Sequence, residues 1–192
     1  MKARTALLVT GLVIAGGAIA PTTAADAQPI DKGHFHDVFT EVFDCDGTPV
    51  RADNDFKGQF LFNQRGSSPF PYYRESVRGT IVYTNLDTGG TYTTVFNANS
   101  RDTKIVDNGD GTITITTYAS GGSHWKDTNG KLVLSDSGQT RVAVDVDYAG
   151  TPGDPSDDVE VPGSFRVVRD STGTNDTAGR DFCSDLRQFT GG

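Results

Sequence analysis

The stretch KIVDNGDGTITITT, Lys104–Thr117, predicts a complete β-hairpin. Two runs in which apolar and polar residues alternate flank a cluster of Asp, Asn and Gly. Such clusters supply the positive φ angles that a tight reversal requires. Alternation with a period of two is typical of strands that bury one face. We therefore expect two antiparallel strands joined by a tight turn.

Similar alternating runs and turns follow one another along the rest of the chain. The most regular runs are Phe56–Asn63, Tyr72–Asn85, Thr91–Ser100 and Thr140–Ala149. This pattern predicts an all-β fold, a single antiparallel meander that closes into an up-and-down barrel of about eight strands. A two-sheet β-sandwich is the alternative. The barrel is favoured because sequential hairpins close without the long connections of a Greek key.

The ends of the meander are less regular. His34–Cys45 is predicted as the first strand and Val159–Arg169 as the last, and Ser135–Gly138 is predicted to reverse the chain between two strands. Arg180–Phe189 is expected to form a short C-terminal helical segment.

Alternation also predicts which side chains face the interior. Bulky residues expected there are Phe56, Phe60, Phe62, Tyr83, Phe96, Tyr148, Phe165 and Val167. Gly58, Gly79 and Gly163 lie on the same faces and are expected to leave space beside these rings. A barrel of about eight strands either fills its interior or holds one small ligand, so the glycines predict a narrow apolar cavity.

The N-terminal residues predict export. Lys2 and Arg4 precede an apolar run and a small-residue segment that ends at Ala27, which is typical of a secretory signal peptide. We therefore expect a signal peptide over residues 1–27 and a single β-barrel domain over 28–192. The expected location is secreted, extracellular, with no membrane attachment after cleavage.

The charge balance argues against two classes of partner. The chain carries 17 Lys and Arg against 25 Asp and Glu, a formal net charge of −8, and it has no basic block along the sequence. Because nucleic acids and anionic membranes are bound through clustered cations, neither is expected as a partner. The oligomeric state does not follow from the sequence.

Cys45 and Cys183 are the two cysteines of the chain. In an exported protein such a pair predicts one disulfide. The bond would join the first strand to the C-terminal segment across 138 positions, for which the chain-entropy model gives roughly 5 kcal/mol as an upper figure.

Histidines offer one candidate metal site. His34 and His36 would share a strand face, and His124 could add a third nitrogen ligand for zinc. A polar strand edge is the favoured interpretation, because no cysteine or carboxylate falls at a partner spacing.

Acidic turns offer two candidate calcium sites. Asp107–Thr112 resembles part of a calcium loop, but a strand follows where a ligating Glu would be needed, so a turn is favoured. Asp154, Asp157 and Asp158 could hold calcium weakly, the favoured alternative being a solvated acidic loop. No metal and no cofactor is predicted.

No catalytic signature stands out. Ser123 and His124 are neighbours on a strand and so point to opposite faces, and both cysteines are expected to be oxidised. Asp145, Asp147 and Glu160 could be paired for glycoside hydrolysis, but the first two are expected to face outward.

Aromatic residues near predicted barrel ends could line a ligand mouth, the favoured alternative being that they plug the end of the core. The candidates are Phe70, Tyr83 and Trp125, with Glu75 as a polar group that shares the inward face. The preferred hypothesis is a non-enzymatic secreted barrel that binds a small apolar ligand or an extracellular partner. The alternative is a small-barrel isomerase or cyclase that resembles allene oxide cyclase.

Three segments carry a resemblance: DNGDGT at Asp107–Thr112, GTPGDPSDD at Gly150–Asp158, and STG…GRDFC between Ser171 and Cys183. In these the chain resembles a group of uncharacterised exported actinobacterial proteins. The resemblance implies secretion and a β fold. It implies no activity and no functional residues.

Overall fold

The computed structural model describes residues 29–191. The predicted signal peptide, residues 1–27, lies outside this range. The described chain is mostly β, with eight strands and one helix. Their bounds are β1 Pro29–Cys45, β2 Thr48–Asn63, β3 Tyr72–Asn85, β4 Thr91–Asp107, β5 Thr112–Lys126, β6 Leu132–Asp147, β7 Val159–Glu160, β8 Arg166–Thr172 and α1 Phe182–Phe189.

The strands form one antiparallel sheet. Strands β1 to β7 pair in sequence order, and β8 pairs with β6 beside β7. The sheet curls into a half-barrel. Among the described strands, no hydrogen-bonded ladder joins β1 to β6, β7 or β8, so the two edges stay apart. The all-β meander with a short C-terminal helix is confirmed, and the strands lie in one sheet rather than in the two of a sandwich.

The hairpin predicted over Lys104–Thr117 is confirmed. Strand β4 ends at Asp107 and β5 begins at Thr112, and Gly109 and Gly111 take φ values of 78° and 92°. The Asp107 carboxylate accepts a hydrogen bond of 2.9 Å from the Gly109 N–H. The acidic residues of this segment therefore build the turn itself.

A register shift in β4 is held by a buried carboxylate. The β4–β5 ladder shifts between Asp102 and Lys104, and the Asp102 carboxylate accepts hydrogen bonds from the Tyr73 N–H at 2.8 Å and the Thr117 hydroxyl at 2.9 Å. Burial raises the pKa of Asp102, against the lowering effect of these two bonds. The β3–β4 ladder starts at Arg74, so the Tyr73 N–H lies just beyond it. The Asp102 carboxylate provides the acceptor for this N–H.

The predicted turn at Ser135–Gly138 is wrong. These residues continue β6, where Ser137 and Gly138 pair with β5. A Cβ at Gly138 would lie 2.4 Å from the backbone oxygen of Thr172. The glycine therefore allows the C-terminal segment to approach β6 closely, rather than turning the chain.

The single last strand predicted over Val159–Arg169 is divided into β7 and β8. The turn between them contains Gly163, which has a φ of 78°, and a Cβ at this position would have no neighbour within 4 Å. Phe165 and Val167, expected to face inward, are 58% and 54% exposed. The physical reason is that β8 pairs with β6 alone, so nothing packs over its side chains.

Helix α1 closes one end of the half-barrel. Leu186 of the helix is fully buried against Val50 and Tyr92. The predicted disulfide between Cys45 and Cys183 is confirmed, with 5.2 Å between the Cα atoms. We call the face on which α1 packs the inner face and the opposite one the outer face.

A second buried cluster lies toward the other end of the sheet. Phe70, from the loop before β3, packs against Ile113 and Val146. Because Ile113 and Trp125 stand near opposite ends of β5, the two clusters lie at opposite ends of the inner face.

The disulfide indicates an oxidising environment, which the cytoplasm does not provide in most organisms. Within residues 29–191, no helix has the length and apolar character needed to cross a membrane.

Candidate binding surfaces

Small side chains form a floor across the middle of the inner face. The strand register places Gly58, Val77, Ala98 and Gly121 in one row across β2 to β5. Ala98 is exposed, so nothing covers the floor at its centre. We call this row, with the aromatic walls described next, the inner trough.

Aromatic rings form the two walls of the inner trough. On one side the Phe56 ring lies 6.0 Å from Phe96 and 5.5 Å from Phe39. On the other side Phe60 and Phe62 gather around Tyr73, with 4.8 Å between the ring centroids of Phe62 and Tyr73. Burial is the largest cause of the raised pKa of Tyr73. All of the wall rings keep some exposure to solvent.

The spaces expected beside Gly58 and Gly79 are filled by rings. A built Cβ at Gly58 meets the Phe35 ring, and one at Gly79 meets Phe56 and Phe96 at 3.0 Å. Side chains from neighbouring strands therefore fill the space beside these two glycines. The apolar surface that stays open is the inner trough.

Tyr83 and Trp125 are brought together, but under α1. Their rings stack at 6.3 Å, and Tyr83 packs edge-on against Phe182 of the helix at 4.8 Å. Burial raises the pKa of Tyr83 to about 12. The protein's own helix thus covers the end of the sheet where a ligand mouth was expected.

Phe70 and Glu75 lie apart from that pair. Phe70 is 6% exposed and its ring meets Tyr148 at 5.2 Å in the second buried cluster. Glu75 stands in register with Phe60, half-buried in a wall of the inner trough. Of the four predicted ligand residues, Glu75 is the one that borders the trough.

The three histidines are not brought together. His34 and His36 lie on β1, while His124 lies on β5, four strands away and thus about 19 Å across the sheet. His36 pairs with Asp55 at 2.8 Å, and His124 shares a hydrogen bond of 3.1 Å with Ser135.

The carboxylates of the acidic loop, residues 150–158, accept hydrogen bonds from residues of the same loop. Asp157 accepts a hydrogen bond from the Thr151 hydroxyl at 2.7 Å, and Asp154 accepts one from the Ser156 N–H at 3.0 Å. Burial, followed by the nearby carboxylates of Asp157, Asp154 and Asp147, raises the pKa of Asp158 to about 6. Across residues 29–191, no three or more His, Cys, Asp or Glu side chains are placed to hold a metal ion.

The carboxylates considered for hydrolysis have structural partners or stand apart. Asp145 forms an ion pair with Arg166 at 3.1 Å and accepts a hydrogen bond from Thr114 at 2.7 Å. These bonds lower the pKa of Asp145, that from Arg166 most. Asp147 accepts from the Ala149 N–H, and Glu160 is exposed on β7. The Ser123 hydroxyl accepts a hydrogen bond from the Trp125 indole N–H, whereas His124 is bonded to Ser135.

The outer face carries a feature that the sequence did not reveal. Two rows of cations cross the strands there, with a row of uncharged polar residues and one histidine between them. The first row contains Lys32, Arg74, Arg101, Arg141 and Arg169, and the second contains Lys57 and Arg78. We call these three rows the outer basic band. Its residues are scattered along the sequence, so only the register assembles them.

Comparison with family models, with curated proteins and with solved structures found no match. The resemblance to exported actinobacterial proteins therefore stays a prediction.

Proposed function

We propose that the chain is a secreted, non-enzymatic binding protein whose inner trough takes a small apolar ligand. The observation that carries this proposal is the exposed floor at Ala98 between two partly exposed aromatic walls. Soluble proteins bury most of their aromatic rings, so a contiguous, exposed apolar surface of this kind is characteristic of a binding site. The disulfide and the predicted signal peptide support extracellular action.

The dimensions of the trough suit a narrow ligand. Phe56 and Phe60 belong to opposite walls and stand four residues apart on β2, which corresponds to about 13 Å along the strand. The rings themselves occupy part of this width. What remains accommodates one acyl chain or one ring system lying across the strands.

The cyclase alternative has less support. Catalysis by shape and one or two polar groups needs polar side chains that are free to act on a substrate, and carboxyl groups are one such class. The buried Asp102 is committed to Tyr73 and Thr117, and Glu75 lies at the rim of a trough that is open to water. Neither of these two carboxyl groups is thus both free and shielded from water.

A neutral fluorescent probe tests the proposal. Nile red should bind the protein with increased emission, and Ala98→Phe should abolish the increase, because the new ring fills the exposed floor. Asn97→Phe is the matched control, since Asn97 is the neighbouring residue on the outer face. Trp125 is unsuitable as the reporter because α1 covers it.

Three results would count against the trough. The first is equal binding by wild type and Ala98→Phe. The second is equal loss in both phenylalanine variants. The third is a loss of the Nile red emission increase at those protein concentrations at which sedimentation shows dimers. A second copy of the chain would then cover the trough.

A further inference from the structure

Like charges stand directly opposite each other in the outer basic band. Arg74 is the register partner of Arg101, Lys57 of Arg78, and Arg141 of Arg169. Like-charged pairs at such positions destabilise a sheet. Three of them on one face of an acidic protein indicate that something other than fold stability favours these cations.

The lysines and arginines of the band have no carboxylate partner among residues 29–191. Among the described residues, His36, at the β1 end of the second row, pairs with Asp55, and the other ion pairs use cations outside the band. No Lys or Arg side chain of the band donates a hydrogen bond to a described protein acceptor. Arg101 lies over the Tyr118 ring at 5.2 Å. No Asp or Glu occupies a register position in the three rows; Asp55 and Asp145 lie beyond them on either side, and Asp170 follows Arg169 at the β8 edge. The charged ends are therefore available to an external anion.

The row between the cations is polar but almost free of formal charge. Its members are His34, Gln59, Ser76, Asn99, Ser120, Gln139 and Thr172. Two adjoining depressions of about 540 and 240 Å³ follow this row over β1 to β3, and both are lined by His34, Gln59 and Ser76. Amides and hydroxyls thus line a shallow groove between two lines of positive charge.

We propose that the outer basic band binds an acidic polysaccharide. Arg and Lys of the two outer rows would pair with carboxylate or sulfate groups, and the middle row would hydrogen-bond the sugar hydroxyls. An extended polymer fits because the rows run across the whole sheet, at about 4.8 Å per strand. This surface is on the opposite face from the inner trough, so the inference is independent of the proposed function.

Two other polyanions fit the band less well. Single-stranded nucleic acid is bound by stacking bases on aromatic rings, but the one aromatic residue in the three rows is Tyr118, which Arg101 covers. Membrane-surface binding combines cations with apolar groups that insert between lipids, whereas Leu61 is the one large apolar residue of the rows.

Binding to heparin and to polygalacturonate, measured by calorimetry over a range of salt concentrations, tests the proposal. The test variant is Arg74→Gln with Arg101→Gln, and the control is Arg51→Gln with Lys131→Gln, which removes the same charge outside the band. We expect the test variant to weaken binding at least about tenfold and the control to change it by less than about twofold. The dependence of log Kd on log salt should also become shallower in the test variant, because fewer counterions are exchanged.

The outcomes separate the proposal from its competitors. Equal weakening by test and control variants would mean that net charge alone is sensed, and absence of binding to both polysaccharides would refute the proposal. Tighter binding to duplex or single-stranded DNA, or to vesicles of phosphatidylcholine and phosphatidylglycerol, would assign the band to those partners instead. If the test variant does not fold, Arg141→Gln with Arg169→Gln repeats the test on the other side of the band.

Discussion

The Phe35 ring occupies the place where Gly58 lacks a side chain. The two residues are register partners on β1 and β2, and a Cβ at Gly58 would lie 2.5 Å from Phe35 Cζ and 2.7 Å from the Ser76 backbone oxygen. Gly33 and Phe60 form a second pair of the same kind. Pairs of glycine and an aromatic residue across strands fix register, because a slip by one residue would force the ring against a side chain.

Gly58→Ala should therefore destabilise the protein. The new methyl group has to displace both the Phe35 ring and a backbone oxygen, and overpacking of this kind costs about 1–3 kcal/mol. Urea unfolding followed by circular dichroism measures the change. Gly153→Ala is the control, because a Cβ at Gly153 meets nothing within 4 Å. Equal stability of the two variants would show that the ring moves aside without cost.

The local parts of the fold were predictable from the sequence. The turn at 107–112 needs residues that tolerate positive φ, and Gly109 and Gly111 stand at those positions. Strand β3 has the predicted bounds, Tyr72–Asn85, because its alternation extends from end to end. Pairing of Cys45 with Cys183 followed from their being the two cysteines of the chain.

What the sequence could not reveal depends on register and on edges. Gly138 looked like a turn residue, but it is a contact point for Thr172, which is far away in sequence. Val167 alternates like an inward residue, yet it lies on an edge strand that nothing covers. Arg74 and Arg101 are ordinary surface residues until the β3–β4 ladder places them side by side.

Loss of the disulfide should lower stability without changing the fold. Cys45→Ala with Cys183→Ala removes a link across 138 residues, for which the chain-entropy model gives about 5 kcal/mol as an upper figure. The contacts of Leu186 and the hydrogen bond of 3.1 Å from Arg187 to the Cys45 carbonyl should keep α1 docked at low temperature.

Thermal unfolding measures that loss, and the far-ultraviolet circular dichroism spectrum at low temperature should match the wild type. Thiol titration of the denatured, unreduced wild-type protein should find no free thiol. An unchanged Tm in the double variant would contradict the prediction, and so would two titratable thiols in the wild type.

Asp102→Ala should be among the most destabilising changes on the inner face. It leaves the Tyr73 N–H and the Thr117 hydroxyl, both partly buried, without an acceptor. A fully buried group left unpaired costs about 1–3 kcal/mol, which is the upper figure for each of these two. Thr117→Val is the matched variant, because it removes one of the two bonds and leaves the backbone donor satisfied. Urea unfolding should rank wild type above Thr117→Val and Thr117→Val above Asp102→Ala. The reverse order of the variants would mean that water replaces the carboxylate.

Asp158 should give the protein a specific dependence of stability on pH. Burial and the neighbouring carboxylates raise its pKa in the folded chain to about 6, above the usual value of 3.8. Folding therefore favours the protonated form of this group. Its contribution is fully present below about pH 3.8 and is lost as the pH rises through about 6.

Asp158→Asn should remove this dependence, because an amide cannot ionise. At pH 7 the variant should have a higher Tm than the wild type, since the native loop no longer holds a partly buried charge beside Asp157 and Asp154. Below pH 4 the two Tm values should converge. Thermal unfolding between pH 3.5 and 7.5 gives a curve of Tm against pH for the wild type and for Asp158→Asn. The raised pKa of Asp102 affects both curves alike, so its effect cancels in their difference. Asp170→Asn, at an exposed position of β8, is the control for loss of one negative charge. A constant offset between Asp158→Asn and wild type at every pH would show that Asp158 titrates alike in the folded and unfolded chain.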